Sequence, residues 1–343
     1  MIDTSLENGQ ASSLPRFADA RLAVSEPPRL IVVVDTEEEF DWSAPFSASN
    51  TAVTAMQHIH RVQDLFDRYQ VKPTYVIDYP VASQDQGAAP LLDIWRRNGC
   101  AIGAHLHPWV NPPYDEQVNR HNSFTCNLPV ALQRRKLKTL TEAIADRFSA
   151  APRSFKAGRY GLGRATVGIL EELGYSVDNS VSPRMDFTRE GGPSFAGYDA
   201  APFFLTESML EVPCTIDYVG WSGAFRPALH RLAAQPVLAR ARAVGVLARA
   251  GAVNQIMLSP EGNTFAEMRA LTRSLFARGC RAFTFSFHSP SVEIGHTPYV
   301  QNAPQLQAFL DTIDRYCEFF FRELGGTSNT LESFRAIAAG STH

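Results

Sequence analysis

The chain has 343 residues, of which 45% are hydrophobic and 20% are charged, a composition typical of a globular protein with a substantial core. Its formal net charge of −3 gives no overall basic field that would attract nucleic acid or an anionic membrane. No apolar run approaches the roughly 20 residues that a membrane-spanning helix needs. These features predict neither a nucleic-acid partner nor a membrane span.

The first residues and the cysteines indicate the compartment. The polar, acidic N-terminal stretch has neither the basic region nor the apolar core of a signal peptide. Five cysteines lie far apart without a C-x-x-C pair, which is unlike a disulfide framework or a zinc ribbon. The sequence therefore predicts a cytoplasmic protein.

Short apolar segments alternate with longer segments of helical periodicity along the chain. The predicted strands are 31–34, 73–78, 100–104, 153–157, 175–178, 210–213, 254–258 and 281–287. The predicted helices are 51–69, 90–98, 129–148, 164–173, 227–250 (one helix or a pair), 264–278 and 304–324. This β–α alternation, repeated about seven times, predicts an α/β protein with a parallel sheet, open or closed into a barrel.

The composition divides the chain into one large domain with two flanking segments. Residues 1–28 are rich in Ser, Ala and Pro and are predicted to be a flexible or loosely docked leader. Residues 29–325 form the predicted domain, with a helical insertion near 225–252, and 326–343 form a C-terminal tail. The arginines of the insertion are interpreted as a solvated helix face, with a phosphate-bearing substrate or a partner surface as the alternative.

Polar side chains follow almost every predicted strand. In parallel α/β folds the reacting groups collect beyond the carboxyl ends of the strands. The residues at these ends are Asp35, Glu37, Asp78, His105, His107, Arg159, Asp178, Glu261 and His288. Because most of them can titrate or bind a metal, the sequence predicts a reactive site at this rim.

Asp35 and Glu37 follow the most apolar strand, and the alternation of side chains in a strand places them on one side. Two neighbouring carboxylates are tolerable when a cation lies between them or when one holds a proton. The alternative is a strand that ends in a solvated acidic turn. Glu38, Glu39 and Asp41 are predicted to be solvated neighbours.

His105 and His107 are also two residues apart, so both imidazoles face one way if the strand continues through them. Two histidines and a carboxylate form an open divalent-metal site with room for water and substrate. The alternative is a hydrogen-bonded pair in a turn made by Pro108. His58 and His60 share this spacing but lie in a predicted helix, where it separates the rings.

These residues fit the hydrolysis of an unactivated amide or ester. A metal polarises the carbonyl group and activates water, a carboxylate takes a proton, and an imidazole protonates the leaving group. Asp35 fits the base and Glu37 the metal ligand. His288 fits the acid, because the last strand of a barrel closes beside the first. Arg159 is predicted to orient Asp35 or bind a substrate oxygen, with a structural ion pair as the alternative.

The motifs VDTEEEFDW, GAHLHPW, KAGRYG, DNSVSP, LSPEGNT and FSFHSPSVEIGHTPYV carry a family resemblance between residues 29 and 298. The chain resembles the NodB-homology polysaccharide deacetylases, carbohydrate esterase family 4, and looks most like their WalW-like lipopolysaccharide-biosynthesis branch. Two spacings depart from that family's pattern. Its first motif usually has adjacent aspartates, and its second usually has histidines four residues apart.

The resemblance implies a distorted (β/α) barrel of about seven strands that binds one divalent metal, zinc first and nickel, cobalt or manganese otherwise. It implies removal of acetyl or similar acyl groups from a carbohydrate or glycolipid precursor. By resemblance, Asp35, His288 and Arg159 are catalytic, and Glu37, His105 and His107 bind the metal. The residues assigned to substrate binding are Trp109, Tyr160, Asp178 and Glu261.

Two other functions remain open at this point. One is hydrolysis of a non-sugar C–N bond, as in allantoinase-like relatives of the same barrel. The other is a non-catalytic glycan-binding protein. The aromatic residues Trp42, Trp109, Tyr114 and Trp221 can offer flat surfaces to sugar rings, although core packing is the commoner use of such side chains.

Overall fold

The computed structural model describes residues 14–235, 238 and 242–340. Its central element is a curled sheet of ten strands, next to a separate two-stranded ribbon. The strands are β1 (Ala18–Asp19), β2 (Arg29–Thr36), β3 (Thr74–Ile77), β4 (Ala101–Leu106), β5 (Ser154–Ala157), β6 (Val177–Asp178), β7 (Phe203–Phe204), β8 (Leu210–Glu211), β9 (Ile216–Val219), β10 (Asn254–Met257), β11 (Ala282–His288) and β12 (Thr327–Asn329). The helices are α1 (His60–Arg68), α2 (Tyr79–Ser83), α3 (Asp85–Arg96), α4 (Val130–Phe148), α5 (Arg164–Glu172), α6 (Arg226–Ala233), α7 (Ala243–Arg249), α8 (Phe265–Ala277), α9 (Ala303–Glu318) and α10 (Leu331–Gly340).

Seven strands run parallel in the order β8-β6-β5-β4-β3-β2-β11. Short antiparallel strands β7 and β1 extend the β8 edge, and β12 pairs with the start of β2. The antiparallel ribbon of β9 and β10 lies outside this order. The predicted α/β class and the predicted barrel of about seven strands are confirmed.

The gap between β8 and β11 is bridged by single hydrogen bonds instead of a regular ladder. The Thr284 hydroxyl donates to the Pro213 carbonyl (2.9 Å), and its backbone N–H donates to the Thr215 hydroxyl (2.8 Å). The Ser286 N–H donates to the Leu258 carbonyl (3.1 Å). The sheet therefore curls into a distorted barrel, and the carboxyl ends of its strands face a common space.

Strand β2 is the centre of this sheet because both of its faces are covered. Leu30, Val32 and Val34 pack into the larger hydrophobic core, between the sheet and its helices. Ile31 and Val33 point the other way, into a smaller core that includes residues of α10. A strand that is buried on both faces is a continuous apolar run, as this one is.

Parts of both flanking segments pack against the predicted domain. Within the described part of the leader, Leu14 and Leu22 are buried and β1 pairs with β7. In the predicted tail, β12 joins the sheet, and α10 buries Leu331 and Phe334. Residues 1–13 and 341–343 lie outside the described residues.

Two helix starts have a clear chemical cause. Asp78, predicted as a strand-end acid, caps α2, where its Oδ1 accepts the N–H of Val81 at 2.8 Å. Helix α8 begins with a capping box, because the Thr264 side chain accepts from the Glu267 backbone and the Glu267 side chain accepts in return.

Among its described residues, the insertion between β9 and β10 contains the helices α6 and α7. They contact each other and the ribbon of β9 and β10. Residues 236–237 and 239–241 of the insertion lie outside the described residues. Among the described residues, no helix combines the length and apolarity needed to cross a bilayer.

Candidate metal centre and active-site cleft

A cleft of about 730 Å³ opens at the carboxyl ends of the strands. Most of the predicted site residues line it, namely Asp35, Glu37, His105, His107, Trp109, Arg159, Tyr160, Glu261 and His288. Asp178 is absent from this lining. The cleft also contains a residue that the sequence analysis did not select, Lys156.

Glu37, His105 and His107 converge on one point at the bottom of the cleft. The Nε2 atoms of both histidines lie 3.4 Å from Oε2 of Glu37. One ligand atom from each residue falls within 4.8 Å of the others, and all three residues are buried. Oε1 of Glu37 is buried without a hydrogen-bond partner in the described structure. A buried carboxylate oxygen without a partner is costly unless a cation or water satisfies it.

The two imidazoles are held with their Nε2 atoms free for a ligand. Nδ1 of His105 lies 2.9 Å from the Lys156 backbone carbonyl, which can only accept, so this nitrogen carries the proton. Nδ1 of His107 lies 2.7 Å from Oε2 of Glu38. Carbonyl and carboxylate partners of this kind orient metal-binding histidines and increase their basicity. The three residues therefore fit a divalent cation.

Glu38 is fully buried, so the prediction that it is solvated is wrong. In addition to His107, it accepts the indole N–H of Trp109 at 2.7 Å, and its backbone N–H donates to Asp78 (2.7 Å). Burial raises the pKa of Glu38 to about 8, and the nearby Glu37 carboxylate acts in the same direction. Glu38 therefore acts as the group that orients His107.

Glu39 and Asp41, the other two acids of this turn, differ in their exposure to solvent. Glu39 is only partly exposed and accepts the backbone N–H of Ala55 at 2.6 Å, so the prediction that it is solvated is also wrong. Asp41 is exposed as predicted.

Ligand atoms of Glu38, Asp78 and His107 also lie close together. Their hydrogen bonds to Trp109, Val81 and each other occupy these atoms, so the Glu37 group is the better cation site.

Lys156 is the cation that holds Asp35. Its ammonium lies 2.7 Å from both carboxylate oxygens, and both side chains are buried. Burial alone would raise the pKa of Asp35, but the positive charge of Lys156, aided by His105 and His288, holds it below its usual value. Burial lowers the pKa of Lys156, but the Asp35 carboxylate outweighs this effect and leaves it raised. Asp35 is therefore ionised at neutral pH.

His288 lies on the other side of Asp35, at the end of β11. Its Nε2 is 3.7 Å from Oδ2 of Asp35, and its Nδ1 is 2.7 Å from Oε2 of Glu261. Ser291 donates to the other oxygen of Glu261 (2.5 Å) and so fixes that carboxylate. Burial lowers the pKa of His288, but the carboxylates of Glu261, Glu37 and Asp35 raise it overall, to about 10. His288 is a protonated imidazole at neutral pH.

Arg159 lies in the cleft wall, but its contacts are with residues other than Asp35. Its guanidinium donates to the Ser123 hydroxyl (2.6 Å), pairs with Glu190 and lies over the ring of Phe124 (4.1 Å). Its backbone has a φ of 53°, in the left-handed region that non-glycine residues seldom adopt. The structure therefore assigns the contact with Asp35 to Lys156 and places Arg159 at the cleft surface.

The residues assigned to substrate binding lie in different surroundings. Trp109 is buried and stacks on His107 with ring centroids 4.2 Å apart, so it supports the metal centre from behind. Tyr160 stacks on Phe187 in the cleft wall (5.4 Å). Glu261 contacts His288, as described above. The aromatic rings that border His288 are Trp42 at 4.9 Å and, next to Trp42, Tyr299.

Asp178 lies behind the cleft wall, fully buried and paired with Glu211. Both oxygens of Asp178 accept from Ser180, at 2.9 and 2.8 Å. Burial and the Asp178 carboxylate raise the pKa of Glu211 well above its usual value. The two acids therefore share a proton, and their location favours a structural role over contact with substrate.

This shared proton predicts a pH dependence of stability. The folded state keeps a proton on Glu211 that the unfolded chain releases above a pH of about 4.5, so the free energy of unfolding falls as pH rises, by up to about 1.4 kcal/mol per unit. The Glu211→Gln variant lacks this proton, so its stability relative to the wild type is expected to improve steadily from pH 5 upward. Urea unfolding at several pH values measures this difference in stability. A Glu207→Gln variant, which changes an exposed acid, is the control. A constant difference across pH contradicts the shared proton.

Comparison with known proteins supports the fold. No protein-family model and no curated protein matches the chain. A solved structure of a putative polysaccharide deacetylase from Mycobacterium smegmatis matches with a TM-score of 0.51 and 12% identity, covering 96% of this chain and 95% of that one. The structure of Puue allantoinase matches with a TM-score of 0.51 and 14% identity, covering 93% and 95%. At these identities the likeness concerns the fold, and the chain has the distorted α/β barrel of these two proteins.

Proposed function

We propose that the chain is a metal-dependent hydrolase that removes an acetyl or similar acyl group from an acylated carbohydrate or glycolipid precursor. One observation carries this proposal: Glu37, His105 and His107 present convergent ligand atoms in the same cleft as the ionised Asp35 and the protonated His288. A base and an acid beside a cation site are what hydrolysis of an amide requires. The fold shared with the putative polysaccharide deacetylase from Mycobacterium smegmatis supports an acyl group on a sugar as the substrate.

Glu37, His105 and His107 would hold the ion, and their two nitrogens and one carboxylate form a donor set that suits zinc, with nickel, cobalt and manganese as alternatives. When bound, the metal would polarise the carbonyl group and lower the pKa of water. Nδ1 of each histidine is engaged by Lys156 or Glu38, so Nε2 is the nitrogen that is directed at Glu37 and would bind the ion.

Asp35 is placed to take the proton of the attacking water. Lys156 occupies one lone pair on each of its oxygens and leaves the others free. The same ammonium keeps the carboxylate ionised in a buried site, where it would otherwise take up a proton. Lys156 is therefore a positioning residue that acts through Asp35.

His288 is placed to give a proton to the leaving nitrogen. Its Nδ1–H is held by Glu261, so the proton on Nε2 is the one that faces the cleft. Glu261 also stabilises the imidazolium, which explains why this half-buried histidine stays protonated. The aromatic rings of Trp42 and Tyr299 border this position and can stack against a sugar ring.

Acetate release with metal analysis tests the proposal. The purified protein is expected to bind one divalent ion per chain and to release acetate from N- or O-acetylated sugars, and chelation is expected to abolish the release. A panel of small cyclic amides serves as the comparison, because the alternative hydrolysis of a non-sugar C–N bond would use the same groups. Turnover of cyclic amides alone would reject the acyl-carbohydrate substrate. A protein without bound metal and unaffected by added metal would reject the mechanism.

A further inference from the structure

We infer that the insertion between β9 and β10 binds the surface of an anionic lipid membrane. The inference concerns a different part of the molecule from the cleft and does not depend on the proposed hydrolase activity. It begins with an exposed apolar surface. The side chains that form it are Trp221 (75% exposed), Phe225 (76%), Leu232 (51%) and Val246 (56%). Large apolar side chains that are exposed together in one insertion, and not scattered singly, indicate an interaction site in a globular protein.

The two helices contribute very little to the core. Among the described residues of the insertion's helices, only Ala233 of α6 is buried, and α7 buries none. Phe225, Leu229 and Leu232 are spaced four and three residues apart, so they share one side of α6. A helix whose apolar side has no covering partner is stable only if something else covers that side.

The charge of the insertion indicates what kind of surface covers the apolar side of α6. Residues 218–260 contain five arginines and no acidic residue, although the whole chain has a formal net charge of −3. Val246 and Arg249 lie on the exposed side of α7, and Arg242, which is also exposed, immediately precedes this helix. No carboxylate of the described chain pairs with any of the four described arginines of this segment. An anionic surface with an apolar interior fits this combination, because arginines reach the headgroups while the rings enter the acyl boundary.

The position of Trp221 agrees with this assignment. Its indole N–H donates to the Ala250 carbonyl (2.9 Å), which satisfies its polar atom inside the protein and leaves the ring exposed. Tryptophan is favoured at the membrane–water interface because its ring is apolar and flat. A second copy of this chain is a poorer partner, because two copies of the same arginine-rich face would repel each other in a two-fold interface.

Vesicle sedimentation of the full chain tests the inference. Wild-type protein is expected to sediment with vesicles of phosphatidylcholine and phosphatidylglycerol, and weakly with phosphatidylcholine alone. The double variant Arg242→Gln/Arg249→Gln is expected to bind the anionic vesicles roughly 25-fold more weakly, at about fivefold per arginine. The double variant Trp221→Ser/Phe225→Ser is expected to bind the anionic vesicles at least roughly tenfold more weakly. The Arg242→Gln/Arg249→Gln variant is expected to melt at the wild-type temperature, because both side chains are exposed. The Trp221→Ser/Phe225→Ser variant loses the indole hydrogen bond to Ala250, so it is expected to melt slightly lower, and its binding is measured at a temperature where it is folded.

The controls are exposed residues elsewhere, Phe17→Ser and Arg96→Gln, which are expected to bind like the wild type. Equal binding to neutral and anionic vesicles, or no binding to either, overturns the inference. A dimer in solution that the Trp221→Ser/Phe225→Ser variant dissociates also overturns it, in favour of a second copy as the occupant. Equal affinity for a DNA duplex overturns it as well, because the lipid would then have no special role.

Discussion

Replacing Asp35 with asparagine is expected to lower kcat/KM for acetate release by roughly 10²- to 10⁴-fold, the usual contribution of a general base. The amide keeps the size of the carboxylate but has no free lone pair basic enough to take a proton from water. Since Asp35 is not among the three residues that converge on the cation site, the metal content is expected to stay at the wild-type level. Initial rates with metal analysis of the same sample measure both effects.

The loss of the Asp35 charge also leaves Lys156 as a buried, unpaired cation, which costs about 3–5 kcal/mol of stability. The double variant Asp35→Asn/Lys156→Gln removes that charge, so it is expected to recover stability without recovering activity. This separates a catalytic role of Asp35 from a purely structural one. Asp41→Asn, an exposed acid in the following turn, is the matched control. An Asp35→Asn protein that keeps more than half of the wild-type kcat/KM would exclude Asp35 as the base.

Much of the barrel could be predicted from the sequence because its strands are apolar runs of sufficient length. The run that ends at Asp35 is buried on both faces, which makes every residue in it apolar. His105 and His107 could be predicted to lie together because β4 continues to Leu106. The alternation of side chains in this strand therefore extends almost to His107. The short strands β1 and β12 have only two and three residues, too few for any periodicity to show.

Lys156 could not be selected because its position in the site depends on sheet register. It lies inside β5, whereas the residues predicted to form the site follow the ends of the strands. In the structure Lys156 pairs across the ladder with His105, which brings both side chains to the same face. Arg159 does not make the predicted contact with Asp35 for a different reason. It lies beyond the end of β5, in a short turn with a left-handed backbone.

Glu38 shows a different limit of sequence reasoning. Glu38 follows the end of β2, where the sequence predicted a solvated acid, and nothing in the neighbouring residues tells what covers its side chain. Trp109 and Asp78, more than 30 residues away along the chain, enclose that side chain and exclude water. The burial of Glu38 and its bond to His107 therefore depend on tertiary packing, which no local pattern contains.

Glu37→Gln is expected to remove metal binding while leaving the fold intact. In the wild type, a saturating divalent ion at 100 times its dissociation constant is expected to add about 2.7 kcal/mol to the free energy of unfolding. The variant is expected to show no such gain at the same concentration. Its metal-free form is expected to be at least as stable as the wild type, because the change removes a buried carboxylate with an unpartnered oxygen. Thermal melts with and without zinc, together with metal content, measure these effects.

The graded comparison is Glu38→Gln, which changes the partner of His107 instead of a ligand. Loss of a carboxylate that orients a metal-binding histidine typically weakens metal binding by about 10- to 100-fold, so this variant is expected to bind the ion more weakly but measurably. Glu142→Gln, an exposed acid on α4, is expected to behave like the wild type. If Glu37→Gln binds zinc as tightly as the wild type, Glu37 is not a ligand. If Glu38→Gln loses more affinity than Glu37→Gln, the ion lies on the Glu38 side of His107, and the division of roles between these adjacent acids must be reversed.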